Sequence, residues 1–108
     1  MAWYAYLAYF AGGLFLINGI PHFMEGAAGR KFPTPFAKPP GEGDSSAMVN
    51  VFWGLGNLVV GFLLIKGVGT FVLGLNISTL TVFVGAGLMS FLLARHFGSV
   101  REGGSGTE

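Results

Sequence analysis

The sequence predicts an all-α membrane protein with three transmembrane helices. Charged residues make up only 10% of the 108 residues, whereas a soluble domain carries about 25%. Hydrophobic residues make up 52% of the chain, and the mean hydropathy is +0.64. Asp, Glu, Lys and Arg are absent from three stretches, residues 1–24, 45–65 and 67–94. Each stretch is long enough for the roughly 20 apolar residues that a helix needs to cross a bilayer.

The first helix is predicted near residues 3–23. Aromatic residues of the kind that favour the membrane interface open it: Trp3, Tyr4, Tyr6 and Tyr9. No basic segment precedes it, so it does not resemble a secretory signal peptide. Pro21 removes a backbone donor and disfavours helical geometry at Ile20, so we expect the helix to kink or end there.

The two connections between the helices differ. Residues 25–44 are rich in Gly and Pro, which predicts an irregular loop. The second helix is predicted near 48–65 and the third near 71–94. Because only residues 66–70 separate them, these two helices are expected to form a tight antiparallel hairpin.

The composition also excludes several function classes. Without Cys the chain can form no disulfide framework, thiolate metal site, thiol nucleophile or iron–sulfur cluster. The net charge is +1 and there is no basic run, which argues against a nucleic-acid partner. The length limits the chain to one domain, predicted over residues 1–100 and followed by a flexible Gly/Ser-rich tail at 101–108.

The charges fall almost entirely on one predicted membrane face. Five of the six basic residues lie in the loop and the C-terminal segment, namely Arg30, Lys31, Lys38, Arg95 and Arg101, and the sixth is Lys66. Basic residues favour the cytoplasmic side. We therefore expect a bacterial inner (cytoplasmic) membrane protein with its N-terminus outside and its loop and C-terminus in the cytoplasm. The five acidic residues lie on the loop face too, which then holds ten of the eleven formal charges.

Small and polar residues form a stripe along each helix. The first helix carries Ala8, Ala11, Phe15, Asn18 and His22. The second carries Asn50, Gly54, Asn57 and Gly61, and the third carries Gly74, Ser78, Thr81 and Gly85. These residues recur in steps of three and four, which places them on one helix face. Lipid tails give no hydrophobic drive for helix association, so such faces are typical of close helix packing. The stripes either pack the three helices together, or one of them binds a partner helix.

Polar residues at three helix ends meet the charged face. They are Asn18, His22 and Glu25 on the first helix, Asn50 on the second, and Arg95 and His96 on the third. Polar groups within a membrane are candidates for function, so these side chains are candidates for one interfacial site. The candidate cofactor-binding residues among them are Asn18, His22, Arg95 and His96.

Structural and functional interpretations of this cluster both stay open. In the structural one, Asn18 and His22 satisfy carbonyls freed by Pro21, while Arg95 and His96 extend to lipid headgroups. In the functional one, the cluster forms a quinone or lipid-headgroup pocket, or His22 and His96 are axial ligands of a haem. No nucleophile triad, phosphate-binding glycine loop or pair of buried carboxylates can be assembled, so no catalytic or metal-ligating residue is assigned.

Residues 29–36 are unusual for a plain linker. Two prolines stiffen the segment, and two phenylalanines can enter the membrane interface. Arg30 and Lys31, like Arg95, can contact anionic lipid headgroups, at about 1 kcal/mol each. The segment is either a membrane-surface anchor or a lid and docking element.

The run 19–23 (GIPHF), the Pro-rich loop and the run 54–61 (GLGNLVVG) resemble the DoxX family of small membrane proteins. That family has a G-x-x-H-F near the end of its first helix and a G-x-x-E-x-x-x-G face in its second. The resemblance covers residues 10–65. It implies a role in membrane redox complexes, because the family includes a subunit of a thiosulfate–quinone oxidoreductase and members linked to thiol-redox complexes. It makes His22 and Asn57 the first positions to test.

Two departures from the family pattern bear on mechanism. Asn57 stands where the family has an acidic residue, and three helices are predicted where the family has four. Without that carboxylate, the resemblance implies no proton-handling role for this position.

The size, the small-residue faces and the lack of a self-sufficient active site favour a small non-catalytic subunit or assembly factor. The larger membrane complex would be respiratory, photosynthetic or redox, with membrane lipids and other transmembrane subunits or copies of the chain as partners. One alternative is a homo-oligomeric small-solute transporter or channel whose path is lined by Asn50, Asn57, Asn76, Ser78 and Thr81. Against it, no helix carries an ionisable residue near mid-membrane. A second alternative is a quinone- or haem-binding redox module.

Overall fold

Three long helices dominate the computed structural model, which describes residues 2–105 and the side chains of residues 2–102. They are α1 (Trp3–Ala27), α2 (Ala47–Gly67) and α3 (Ile77–Ser105). Each contains an apolar stretch long enough to span a membrane. The longest dimension of the molecule is 50 Å, which exceeds the roughly 30 Å of a bilayer's hydrocarbon core. The structure thus confirms the predicted all-helical architecture with three candidate membrane spans.

α1 and α2 pack closely in opposite directions. Gly12 near the start of α1 approaches Gly61 near the end of α2, and Gly26 at the end of α1 approaches Ala47 at the start of α2. The antiparallel contact therefore extends over about four helical turns of α1.

α3 packs on a different side of α1 and runs parallel to it. Its Gly85 meets the Phe10 backbone, and further along both helices its Phe97 ring meets the His22 ring. α2 and α3 both contact α1 extensively and make at most marginal contact with each other. α1 is therefore the central helix, and α2 and α3 flank it.

The loop between α1 and α2 is a compact structure. It contains a two-stranded antiparallel pair, β1 (Phe32–Pro33) and β2 (Asp44–Ser45). The buried Thr34 accepts hydrogen bonds at its carbonyl from the amides of Ala37 and Gly41. Its hydroxyl bonds the Ser45 hydroxyl. These bonds hold the Pro-rich segment against the ends of the helices.

Two helix boundaries differ from the sequence-based expectation. α1 continues through Pro21 to Ala27. Proline removes only one backbone bond, and neighbouring helices make that loss tolerable in a membrane protein. α3 begins at Ile77, where Asn76 accepts a hydrogen bond from the Thr79 amide in the manner of a helix N-cap. Residues 68–76 therefore form a longer connection between α2 and α3 than the predicted turn.

The end of α3 also differs from the expectation. The helix continues to Ser105, whereas the flexible tail was predicted to begin at residue 101. The rest of that predicted tail, residues 106–108, lies outside the described residues.

Candidate functional site

Small residues that recur every seven positions form the contact between α1 and α2. They are Gly12, Gly19 and Gly26 on α1, and Ala47, Gly54 and Gly61 on α2. A Cβ atom built on Gly19 would lie 2.7 Å from the Gly54 carbonyl oxygen, and one on Gly54 would lie 2.5 Å from the Phe23 nitrogen. Such close backbone approach leaves no room for a larger side chain.

The two predicted interface stripes differ in how much of each is buried. Asn50, Gly54, Asn57 and Gly61 are all buried, and they face α1 of the same chain. On α3, Gly85 is buried, Ser78 and Thr81 are half-buried, and Gly74 is exposed ahead of the helix. The contact glycines of α1 were not predicted, although their seven-residue spacing matches that of α2 and could have revealed the contact.

Two polar side-chain pairs lie between these glycine contacts. Asn18 Nδ2 donates to Asn57 Oδ1 at 3.0 Å. His22 Nδ1 lies 2.9 Å from Asn50 Oδ1, and both side chains are buried. Asn18 and His22 thus bond side chains of α2, and neither bonds a carbonyl freed by Pro21 as the structural interpretation expected.

Asn50 determines which nitrogen of the His22 ring carries the proton. Its Nδ2 donates to the carbonyls of Phe32 at 2.9 Å, Ser46 at 3.0 Å and Ser45 at 3.3 Å. With the amide nitrogen directed at carbonyls, the amide oxygen faces His22 and accepts a hydrogen bond from Nδ1–H. In the neutral ring Nε2 is then an acceptor, and it has no hydrogen-bond partner among the described residues.

His22 borders a pocket of about 160 Å³ at the end of the bundle that carries the loop. The pocket is lined by all three helices and the loop: Asn18, His22, Trp53, Leu93, His96, Phe97, Gly41 and residues 33–35. The Trp53 Nε1 atom is buried and has no hydrogen-bond partner among the described residues. An unsatisfied buried donor costs about 1–3 kcal/mol, so this indole is the least satisfied polar group beside the pocket.

A second, more apolar pocket of about 170 Å³ lies next to the first along the helices. It is lined by Leu14, Phe15, Asn18, Asn57 and Met89. Asn18 borders both pockets. On each helix the residue that borders the second pocket lies about one turn from a residue that borders the first. The two pockets share Asn18 and lie in succession along the same three helices, and we name them together the α2–α3 groove.

His96 connects α3 to the loop. Its Nε2 lies 2.6 Å from the Gly41 carbonyl oxygen. Because a carbonyl only accepts, this ring nitrogen donates the hydrogen bond to the loop. Gly41 has a φ of +73°, a conformation that favours glycine. Arg95 is exposed, its guanidinium lies over the Phe91 ring at 5.8 Å, and it does not border the pocket. Three of the four candidate cofactor-binding residues therefore meet there, and Arg95 does not.

Glu25 belongs to a neighbouring charged surface. Arg30 Nε donates to Glu25 Oε2 at 2.8 Å, and this hydrogen bond raises the pKa of the Arg30 guanidinium above its ordinary value. Lys31 and Glu25 border a separate cavity with Asp44 and Arg101. Arg30 and Lys31 are exposed, as a contact with lipid headgroups requires, but the acidic groups beside them reduce the local positive charge.

The dimensions of the site limit what it can hold. Among residues 2–105, no group of three or more His, Asp and Glu could hold a metal ion. The loop-end pocket, at about 160 Å³, is smaller than the roughly 300–1,000 Å³ of a typical small-molecule site, and the His96 Nε2 atom already bonds Gly41. The geometry therefore suits a small head group rather than a haem.

No protein-family model, curated protein or solved structure matches this chain.

Proposed function

We propose that this chain is a small non-catalytic subunit or assembly factor of a larger membrane complex of the respiratory, photosynthetic or redox type. The exposed surface of α3 is the observation that carries this proposal. In the apolar stretch of α3 only 11% of the residues are buried, compared with 33% in α1 and 28% in α2. A helix with so much exposed apolar surface is available to a second membrane protein.

Small residues lie on an uncovered face of α3. Gly87, Ser90, Ala94 and Gly98 follow one another in steps of three and four, and all four are exposed. Beyond their own helical turns, no atom lies within 4 Å of a Cβ built on Gly87 or Gly98. Transmembrane helices associate through such faces because small side chains allow a close approach. We name these four residues the α3 stripe.

Assembly in the native membrane tests this proposal. Gly87→Leu enlarges the α3 stripe without an internal clash, and overpacking a contact costs about 1–3 kcal/mol. We expect a roughly tenfold loss of co-migration with the complex, since about 1.4 kcal/mol is tenfold in affinity. Mild-detergent extraction followed by native electrophoresis measures it.

Gly56→Leu is the matched control for Gly87→Leu. Gly56 lies on α2, and a Cβ built there also meets no atom within 4 Å, so assembly should be unchanged. Migration of the wild-type protein as a single chain, or as copies of itself only, would rule out the subunit proposal. Full assembly of Gly87→Leu would show that the α3 stripe faces lipid.

We also propose the orientation predicted by the charges, with the N-terminus outside and the loop and C-terminus in the cytoplasm. α2 and α3 are then successive spans of opposite direction, a hairpin joined at the outer face by residues 68–76. The excess of basic residues at the loop end supports this orientation. Accessibility reporters at Pro39 and at the C-terminus should respond alike, and one at Gly67 oppositely; any other pattern contradicts it.

The transporter alternative receives less support from the described residues. Asn50 and Asn57 bond carbonyls and α1 side chains. Asn76 bonds the Val72 carbonyl at the other end of the bundle, and Thr81 bonds the Ile77 carbonyl of its own helix. Asn57 and Asn76 border separate cavities. Membership of the DoxX family stays a prediction, which rests on the 19–23 and 54–61 runs.

A further inference from the structure

The α2–α3 groove changes in polarity along its length. At the loop end it is bordered by His22, His96 and Trp53. One helical turn further along, about 5.4 Å, it is bordered by Leu14 and Met89 with other mainly apolar side chains. The loop end lies at the charged face of the bundle, so the groove is polar near the membrane surface and apolar toward the middle. This gradient matches the shape of a membrane amphiphile.

The groups at the loop end define the head group. The Nε2 atom of His22 can accept a hydrogen bond and has no partner among the described residues. The Nε1 atom of Trp53 also lacks a partner, but it is buried. A hydroxyl group can donate a hydrogen bond to His22 Nε2, so an alcohol supplies the function that this side chain lacks.

The lining of the loop-end pocket favours a neutral head group. No Lys, Arg, Asp or Glu borders it, so a phosphate or ammonium group would enter without a counter-charge, which is costly in a low-dielectric site. The rings of Trp53 and Phe97 already contact His22 edge to face, with centroids 6.4 and 6.0 Å away.

The arrangement of the helices permits entry from the bilayer. α2 and α3 make at most marginal contact with each other, so the groove between them is open along its side. A ligand chain can enter from the lipid phase without separating the close contact between α1 and α2.

From these observations we propose that the α2–α3 groove binds one neutral lipid alcohol. Its hydroxyl lies in the loop-end pocket and bonds His22 Nε2, and its hydrocarbon chain lies beside Leu14 and Met89. The site is separate from the α3 stripe, so binding is expected in the purified chain whether or not the chain joins a larger complex.

Dioctanoylglycerol is a suitable probe, and its methyl ether is the matched control because it has the same two chains and no hydroxyl. Trp3→Phe leaves Trp53 as the sole tryptophan, since the chain has two, so Trp53 fluorescence reports on the groove. We expect a saturable fluorescence change with dioctanoylglycerol in detergent, and binding about tenfold weaker for its methyl ether, in line with one lost hydrogen bond.

Two variants in the Trp3→Phe background test the head and the chain separately. His22→Asn retains a donor toward Asn50 and removes Nε2, so binding should weaken about tenfold. The double substitution of Leu14 and Met89 by Phe should block the apolar pocket, whereas the same change at the exposed Leu88 and Leu92 should change affinity less than about twofold.

Three outcomes would overturn the lipid-alcohol site. They are equal binding of dioctanoylglycerol and its methyl ether, tighter binding of dioctanoylphosphatidylglycerol, and equal losses in the two double variants. Circular dichroism of each variant checks its fold. Should His22→Asn fail to fold, the comparison of dioctanoylglycerol with its methyl ether and the Leu14/Met89 comparison still decide the question.

Discussion

The α1–α2 contact and the surface of α3 show two different uses of an apolar helix. α2 and α3 have nearly the same mean hydropathy, yet far more of α2 is buried. α2 meets α1 through glycines at backbone distance and bonds it through Asn50 and Asn57. α3 also meets the α1 backbone at Gly85, but its Thr81 and Ser90 bond carbonyls of their own helix. Because lipid is as apolar as leucine, burial in a membrane follows small residues and polar partners rather than hydropathy.

The largest expected effect is at the α1–α2 contact. A side chain at Gly54 would meet the backbone of Gly19 and Phe23, neither of which can move without separating the helices. We expect Gly54→Leu to cost about 3 kcal/mol or more, whereas Gly56→Leu, on the open face of α2, should be close to neutral. SDS titration followed by circular dichroism measures both. Equal stability of the two variants would contradict the observed helix contact.

Removing Asn50 should have the next largest effect. Asn50→Leu leaves three carbonyls and the His22 Nδ1 proton without a partner, at a cost of about 1–3 kcal/mol. Asn57→Leu removes an interhelical pair expected to contribute about 0.6–1.7 kcal/mol. Because Asn50 bonds β1 and β2 and Asn57 does not, trypsin should cleave after Lys31 faster in Asn50→Leu and at the wild-type rate in Asn57→Leu. Similar cleavage rates in both variants would show that the Asn50 hydrogen bonds do not keep the loop ordered.

The smallest effect is expected on α3. The Ser90 hydroxyl donates to the Ala86 carbonyl of the same helix at 2.8 Å, and the side chain is exposed. Ser90→Ala should therefore change the stability of the isolated chain by less than about 0.5 kcal/mol, measured by the same titration. A loss above 1 kcal/mol would mean that α3 is held as tightly as α2 and that the contrast between them is wrong.

The candidate site was predictable in part. Counting helix ends brought His22, Asn18 and His96 to one membrane face, and the structure places all three beside one pocket. Arg95 and Glu25 were expected with them and lie elsewhere, because each interacts with a neighbour close in sequence. Other residues of the pocket were not foreseen. Trp53, Thr34 and Phe97 come from separate elements, and only the path of the loop brings them together.

The sequence alone determined the number of helices, their approximate positions and the concentration of charge at one end. A charged side chain within hydrocarbon is so costly that the charge-free stretches mark the spans. The register of α1 on α2 was decided only by the tertiary structure. With small residues every seven positions, α2 could slide along α1 by two turns and still place glycines opposite each other. The bonds His22–Asn50 and Asn18–Asn57 join residues 28 and 39 positions apart, and both form together in the observed register. Side-chain hydrogen bonds depend on distances of a few tenths of an ångström, which a one-dimensional pattern does not contain.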